Sequence, residues 1–316
     1  VIDTNAPTAK YTHYNNNVEI NDPIAYVKGI SQLSFTGKYE DKSPSSSLLQ
    51  DSYVIFEAKD DGTFSFGEKA YCSWRKTPNL LPISGTAFTQ TVPVQFTNCI
   101  ATLPDGEYYM AHQVYDNAVR KDITSITQFR DVLGLHFVVD TQSPSIGNVN
   151  VDWDYSGKYI NGYTGFKIST FVKDSLSGID ESTCMYTLDG TSWNTGWYNN
   201  DECIFKVNRN ILLDNQALNI QVSVKDKAGN YTKSTVLERK VDKSLATSQT
   251  ILNNLYYGPN SLPEIKGIAN DTVSDVTKVM INIKNESNNK YWIGGNTWIK
   301  YMDMPTHNTI GTYDWV

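Results

Sequence analysis

The sequence has no cluster of lysines and arginines, no apolar run near the length of a bilayer, and no Cys-x-x-Cys or Cys/His pair at metal-ligand spacing. The first absence argues against nucleic acid as a partner. Phosphates need a concentrated cationic face, and 34 acidic against 27 basic residues leave a net charge of −7. The second leaves no membrane-spanning segment, since a spanning helix needs roughly 18 or more apolar residues. The third argues against a structural zinc site. Charge of either sign is scarce: 19% of the chain, against about a quarter in soluble domains. The 4 histidines, His13, His112, His136 and His307, are scattered. No nucleophile elbow or positioned base goes with them, and acidic pairs such as Asp60-Asp61 sit in turn sequences. A non-catalytic chain is expected.

What fills the space is Asn, Thr, Ser and 20 Tyr, residues of strands, turns and hydrogen-bonded surfaces. The 40% hydrophobic content is enough for packed cores, and 316 residues suggest two or three of them. Alternation at period 2 runs through Tyr53–Ala58, Phe166–Val172 and Leu218–Val224, bounded by Gly, Asn, Asp and Pro, which is the strand signature. Only Ile123–Leu135 has helix-like spacing, short enough for one or two turns in a loop.

The chain also repeats itself. Val139-Asp140-Thr141-Gln142-Ser143-Pro144 in the middle echoes Ile2-Asp3-Thr4-Asn5-Ala6-Pro7 at the start, and Val241-Asp242 closes a second unit. A proline soon after such an Asp fixes φ and cannot join a central ladder, so the phrase ends one sheet and aims the next. On this pattern the opening phrase is the tail of a preceding unit, with any export signal upstream. Between these marks, Phe56–Gly62 aligns with Phe171–Gly178, each followed by a cysteine-bearing hairpin (Cys72, Cys184) and a later cysteine (Cys99, Cys203). Asp105–Asn117 aligns with Leu218–Asn230. Repetition at this length predicts an array.

A cysteine hairpin followed by Leu188-Asp189-Gly190-Thr191-Ser192-Trp193, the turn Lys225-Asp226-Lys227-Ala228-Gly229-Asn230 and a closing Val-Asp-Thr-x-x-Pro resemble the bacterial Ig-like repeats of large prokaryotic cell-surface proteins, adhesins and surface-layer proteins among them. The second unit carries the resemblance best. In the first, a longer Pro-containing loop, Thr77–Pro93, replaces the Leu-Asp-Gly hairpin. The resemblance implies an all-β chain of tandem Ig-like β-sandwiches strung as an extended rod. The units would be 1–140 with long loop insertions, 141–243, and a partial or truncated third unit at 244–316. It implies an extracellular, structural and adhesive role, in a stalk, surface layer or filament. The partners would be neighbouring copies or domains of the same surface protein.

Within that frame, Cys72–Cys99 and Cys184–Cys203 are the intra-repeat pairings expected outside the cell, with four reduced buried thiols as the alternative. Asp140, Asp174, Asp180, Asp226 and Asn230 are candidate calcium ligands at the seam between units, as are Asp116 with Asp152 or Asp154. Hard cations collect such oxygens, although Asp and Asn also make turns on their own account. Trp193, Trp197 and Tyr198 raise a cell-surface glycan as ligand, against core or ladder packing; Trp292 and Trp298 read as a cross-strand pair. Sequons at Asn230, Asn270 and Asn285 mark possible glycosylation sites. The competing reading is a glycan-binding or spacer module of a large secreted enzyme.

Overall fold

The structure is a computed structural model that describes residues 8–40, 48–57, 70–76, 88–93, 102–116, 135–152, 157–251, 265–294, 297–299, 307–308 and 314–315. Its regular elements there are β-strands and three single-turn 3-10 segments. Among the described residues no helix is long and apolar enough to cross a membrane. The helix-like spacing at 123–134 lies outside the described residues, and Leu135 already belongs to a strand.

Two sheets face each other in the first part of the chain. One has the order β2-β1-β4-β7, built from β1 (Thr8–Asn15), β2 (Val18–Glu19), β4 (Leu33–Glu40) and β7 (Phe88–Pro93). The other has the order β3-β9-β8-β5-β6, from β3 (Ala25–Val27), β5 (Leu48–Glu57), β6 (Ala70–Lys76), β8 (Gly106–Asp116) and β9 (Leu135–Val139). Alternate residues of both meet in one core, with Leu33 and Phe35 from β4 set against Tyr53, Ile55, Tyr108, Met110 and Phe137. The Tyr108 hydroxyl donates to the Pro104 carbonyl, 2.8 Å away, the tyrosine corner found in Ig-type sandwiches. The tract expected to be a loop at 77–93 ends in a strand: Phe88–Pro93 pairs with β4, and its proline falls at the last rung.

The second part repeats the plan. One sheet runs β10-β13-β17-β16, with β11 also on β13. Its strands are β10 (Ser145–Ile146), β11 (Asn150–Val151), β13 (Phe166–Lys173), β16 (Trp197–Asn199) and β17 (Glu202–Val207). The other runs β12-β20-β18-β14-β15, with β19 on β18. It is built from β12 (Tyr159–Asn161), β14 (Met185–Thr187), β15 (Trp193–Thr195), β18 (Ala217–Lys225), β19 (Tyr231–Lys233) and β20 (Leu237–Asp242). Phe166, Ile168 and Val172 point inward from β13, and Leu218, Ile220, Val222 and Val224 from β18. The fold is thus all-β, with sandwiches in tandem.

Comparing the two sandwiches strand by strand corrects the repeat alignment. Strand β9 matches β20 and β8 matches β18, as the sequence reading had it. Strand β5, however, holds the position of β14, and β13 that of β4. Phe56 and Phe171 therefore sit in opposite sheets. The cysteines are not equivalent either, since Cys72 lies in β6 whereas Cys184 precedes β14.

The remainder forms three small sheets. The first is β21 (Thr247–Ile251), β22 (Lys266–Asn270) and β28 (Asp314–Trp315); the second pairs β23 (Met280–Ile281) with β27 (His307–Asn308). The third is β24 (Lys284–Asn285), β25 (Lys290–Gly294) and β26 (Thr297–Ile299), in which Trp292 and Trp298 are direct cross-strand partners. Among the described residues its core is small, centred on Ala269 and Val279.

Candidate functional site at the first junction

Asp140 directly follows β9 and is fully buried. Every polar group it carries is engaged. Its amide donates to the Val27 carbonyl at 2.9 Å. Its Oδ1 accepts from the Gln142 amide at 2.9 Å and its Oδ2 from the Ser177 amide at 3.1 Å. Its carbonyl accepts from Asn230 Nδ2 at 2.8 Å. The linker that follows is tied back to the first sandwich, because Asp105 accepts from the Thr141 amide and hydroxyl and from Gln142 Nε2. Pro144 is buried beyond it. The tie holds the Asp105 carboxyl below the usual range, through its hydrogen bonds from Thr141 and then Gln142, although burial, the largest single influence, opposes them.

The turn from Asp226 to Asn230 supplies the other jaw. Gly229, at φ 90°, lets the chain double back so that Asp226 accepts from both the backbone and the side-chain amide of Asn230, each at 2.8 Å. The two protons of Asn230 Nδ2 are thereby divided between Asp226 and the Asp140 carbonyl. Lys227 on the same turn lies over the ring of Tyr26, 5.3 Å from its centroid. At the start of the loop after β13, Asp174 Oδ1 accepts from the Leu176 and Gly178 amides at 3.0 and 2.8 Å.

These elements bring carboxylate oxygens of Asp140, Asp174 and Asp226 within 4.8 Å of one another. Two of the three are essentially inaccessible: Asp140 is 0% and Asp226 1% exposed. Burial pushes the Asp226 carboxyl up, and the nearby Asp140 charge adds to it, against the hydrogen bonds from Asn230. Close-set carboxylates with buried carbonyl and amide groups beside them fit a hard divalent cation better than a soft or transition metal.

Four of the five residues expected at the seam are therefore together. Asp180 stands apart, and its carboxylate is absorbed as the N-cap of the turn Glu181–Thr183, accepting from the Ser182 amide and hydroxyl at 3.1 and 2.7 Å. The grouping of Asp116 with Asp152 or Asp154 falls partly outside the described residues. What sequence reasoning missed is Ser177, whose amide meets Asp140 across 37 positions, and Asp105. Asp105 did carry a signal, since Asp-Gly opens β8, whose first residue pairs with Val139 at the end of β9 beside the linker.

The second junction repeats the device in part. Lys243 donates its amide to Asp214, as Thr141 does to Asp105, and the Ser244 amide donates to Asp242, as Gln142 does to Asp140. The Ser244 hydroxyl lies 2.6 Å from Asp242 Oδ1 and 2.9 Å from Asp271 Oδ1.

The other candidate residues are dispersed. Cys184 and Cys203 form a fully buried disulfide with a Cα–Cα distance of 5.7 Å. Cys99 lies outside the described residues, as does the Cys72 side chain. Lys206 covers the Trp197 ring at 5.4 Å and Lys233 the Trp193 ring at 5.0 Å. Tyr198 packs against the second core and donates to Asp201, the contact that chiefly pushes its pKa up to about 12. Of the sequon residues, Asn230 is buried with its amide nitrogen fully used, Asn270 is exposed, and Asn285 is half-buried and accepts from the Ser287 amide. His136 pairs with Glu107 beneath a stacked Tyr109. His13 and His112, which looked unrelated, meet between the sheets of the first sandwich at 3.2 Å.

No family profile matches the sequence, and no curated protein matches it. Solved structures do. A tetra-tandem repeat from the extending region of a large adhesion protein is similar at 12% identity over 97% of this chain and 66% of that one, with a TM-score of 0.30. The fibronectin(III)-like modules of Clostridium thermocellum CbhA are similar at 11% identity over 69% of this chain and 87% of theirs, with a TM-score of 0.30. A 1.5-MDa bacterial ice-binding adhesin is similar at 14% identity over 99% of this chain and 87% of that one, with a TM-score of 0.33.

Proposed function

We propose that this chain is a non-catalytic spacer segment of a secreted, cell-surface adhesive protein, in which sandwiches are held end to end at fixed geometry. The observation that carries this reading is the clasp on Asp140, where the last residue of one sandwich is buried and hydrogen-bonded by the loops of the next. A flexible tether would leave that peptide to water. The tie from Asp105 to Thr141 and the buried Pro144 stiffen the same point. The buried disulfide suits an oxidising, extracellular setting. Asp140, Asp174 and Asp226 take a calcium ion, which offsets their mutual repulsion and draws the two sandwiches together. The partners are neighbouring domains or copies of the same surface protein.

Small-angle X-ray scattering of the full chain in calcium tests the reading. The expected radius of gyration is well above the roughly 20 Å of a compact globule of this length, and Asn230→Ala broadens the distance distribution by loosening the clasp. A compact, single-globule profile would overturn the spacer role.

A further inference from the structure

Asn161-Gly162 is the one Asn-Gly pair in the sequence. It stands at the end of β12, where the ladder with β20 closes on Asn161 opposite Asp242. The fold requires the glycine, because a methyl group on Gly162 would fall 2.4 Å from Val241 Cγ1 and 3.0 Å from Lys243 Cγ. It does not require the asparagine. Val27 faces Val139 in the first sandwich as Ile160 faces Val241 in the second, so Lys28-Gly29 occupies the place of Asn161-Gly162. We propose that Asn161 is a site of spontaneous deamidation, gated by the hydrogen bond that ends the β12–β20 ladder.

The reaction needs a nucleophile, an electrophile and water. The backbone nitrogen of Gly162 gives its proton to solvent and bonds to Asn161 Cγ. The Cγ–Nδ2 bond breaks, ammonia leaves with a proton from water, and a succinimide ring remains. Water then opens either carbonyl of that ring, leaving aspartate or isoaspartate at position 161, with nothing oxidised or reduced. Glycine favours the attack, since no Cβ shields its nitrogen. The electrophile is already prepared. The Tyr163 amide donates to Asn161 Oδ1 at 2.9 Å, polarising the carbonyl and awaiting the negative charge that builds on that oxygen. Asn161 is exposed on the wall of a cleft, so water reaches the leaving group. The nucleophile is what the fold withholds: the Gly162 amide donates to the Asp242 carbonyl at 2.9 Å. While that bond stands, the nitrogen neither loses its proton readily nor turns onto Cγ.

The product alters the place where it forms. Aspartate adds a negative charge to a cleft wall that already carries Asp242 and Asp275 beside Lys158 and Lys243. Isoaspartate also inserts a methylene into the backbone between Ile160 and Gly162, so the rung from Gly162 to Asp242 loses its register. Asp242 leads directly into the second junction, where its carboxylate accepts from the Ser244 amide. Each conversion thus marks a chain whose last rung has opened, in a way that refolding does not reverse. The chemistry belongs to the isolated chain and stands or falls apart from the spacer reading.

Incubation of the full chain in mildly alkaline buffer, folded and in urea, tests the proposal. Peptide mass spectrometry reads conversion at Asn161, and enzymatic methylation of isoaspartate separates the two products. Conversion is expected in both states, slower in the folded chain by at least about tenfold. Hydrogen exchange at the Gly162 amide reports opening of the same bond, so the ratio of the two conversion rates is expected to match the Gly162 protection factor within about threefold. A smaller slowing, or a ratio outside that range, overturns the gate. A folded chain left unconverted at Asn161 for longer than the protection factor allows overturns the site. Asn161→Lys puts the residue of the first sandwich in place of the amide. The second sandwich of that variant is expected to keep its melting temperature through the incubation, whereas that of the unsubstituted chain falls as conversion proceeds; any other pattern overturns the loosening of the ladder.

Discussion

One meeting of titratable groups between the sheets of the first sandwich is hardly visible in the sequence. His13 and His112 are 99 positions apart, on β1 and β8 of opposite sheets, and only sandwich packing brings their Nε2 atoms together. Tyr11 stacks on His112 at 3.9 Å and Phe35 meets it edge-on at 4.5 Å, so the pair sits in an aromatic box. His112 Nδ1 is buried with no partner. Had that nitrogen held the proton, it would be an orphan donor; an orphan lone pair costs less. His112 therefore donates through Nε2 and His13 accepts. Burial holds His13 down to about 4 and, with the charge of His13, holds His112 well below the usual histidine range. The unfolded chain takes up protons below about pH 6.5 while the native pair resists them, so stability falls as pH drops from there toward 4. Melting of the first sandwich, followed from pH 7 to 4.5, is expected to show this fall. In His112→Phe, which keeps a ring in the box, the dependence is shallower by about one proton. A slope unchanged by that substitution would place the acid sensitivity elsewhere.

At the scale of elements, strands were easier to read than their partners. The alternation at Tyr53–Ala58, Phe166–Val172 and Leu218–Val224 falls in β5 as far as Glu57, in β13 and in β18, because alternate residues of each face a core. Sheet membership is not written in that period. A strand ending in an Asp/Gly turn looks the same in either layer, and so Phe56 was aligned with Phe171 across sheets. The seam was legible because Asp140 and the Asp226–Asn230 turn need particular residue types, whereas Ser177 contributes only a backbone amide that any residue would supply. Asp180 misled because an N-cap and a cation ligand favour the same side chain. The disulfide joins the two layers of the second sandwich, from the residue before β14 to β17. Replacing both cysteines, Cys184→Ala with Cys203→Ala, is expected to lower stability by about 3 kcal/mol on the loop-closure argument, read as a lower midpoint in denaturant with the slope retained. A loss under about 1 kcal/mol would mean that the unfolded chain is already compact around that loop.

For the whole molecule, the junction and the first core respond to acid with opposite sign. Asp226 has a folded-state pKa raised by burial and by Asp140. Its native carboxyl therefore holds a proton that the unfolded chain gives up, and that contribution is present in acid and lost as pH climbs through the raised value. With no cation the second sandwich should accordingly weaken toward neutral pH, while the first, with its neutral histidine pair, strengthens. A divalent cation between Asp140, Asp174 and Asp226 removes the penalty only where the carboxylates are ionised. Calcium is then expected to raise the melting temperature of the second sandwich most at pH 7 and least near pH 4. Asp226→Asn keeps a side chain of the same shape but removes one charge from the cluster; it should both flatten the neutral-pH weakening and blunt the calcium response. Differential scanning calorimetry at the two pH values, with calcium and with chelator, reads all four conditions. A calcium shift of equal size at both pH values and in Asp226→Asn would mean that the ion binds elsewhere, and that the three clustered carboxylates are held by their hydrogen bonds alone.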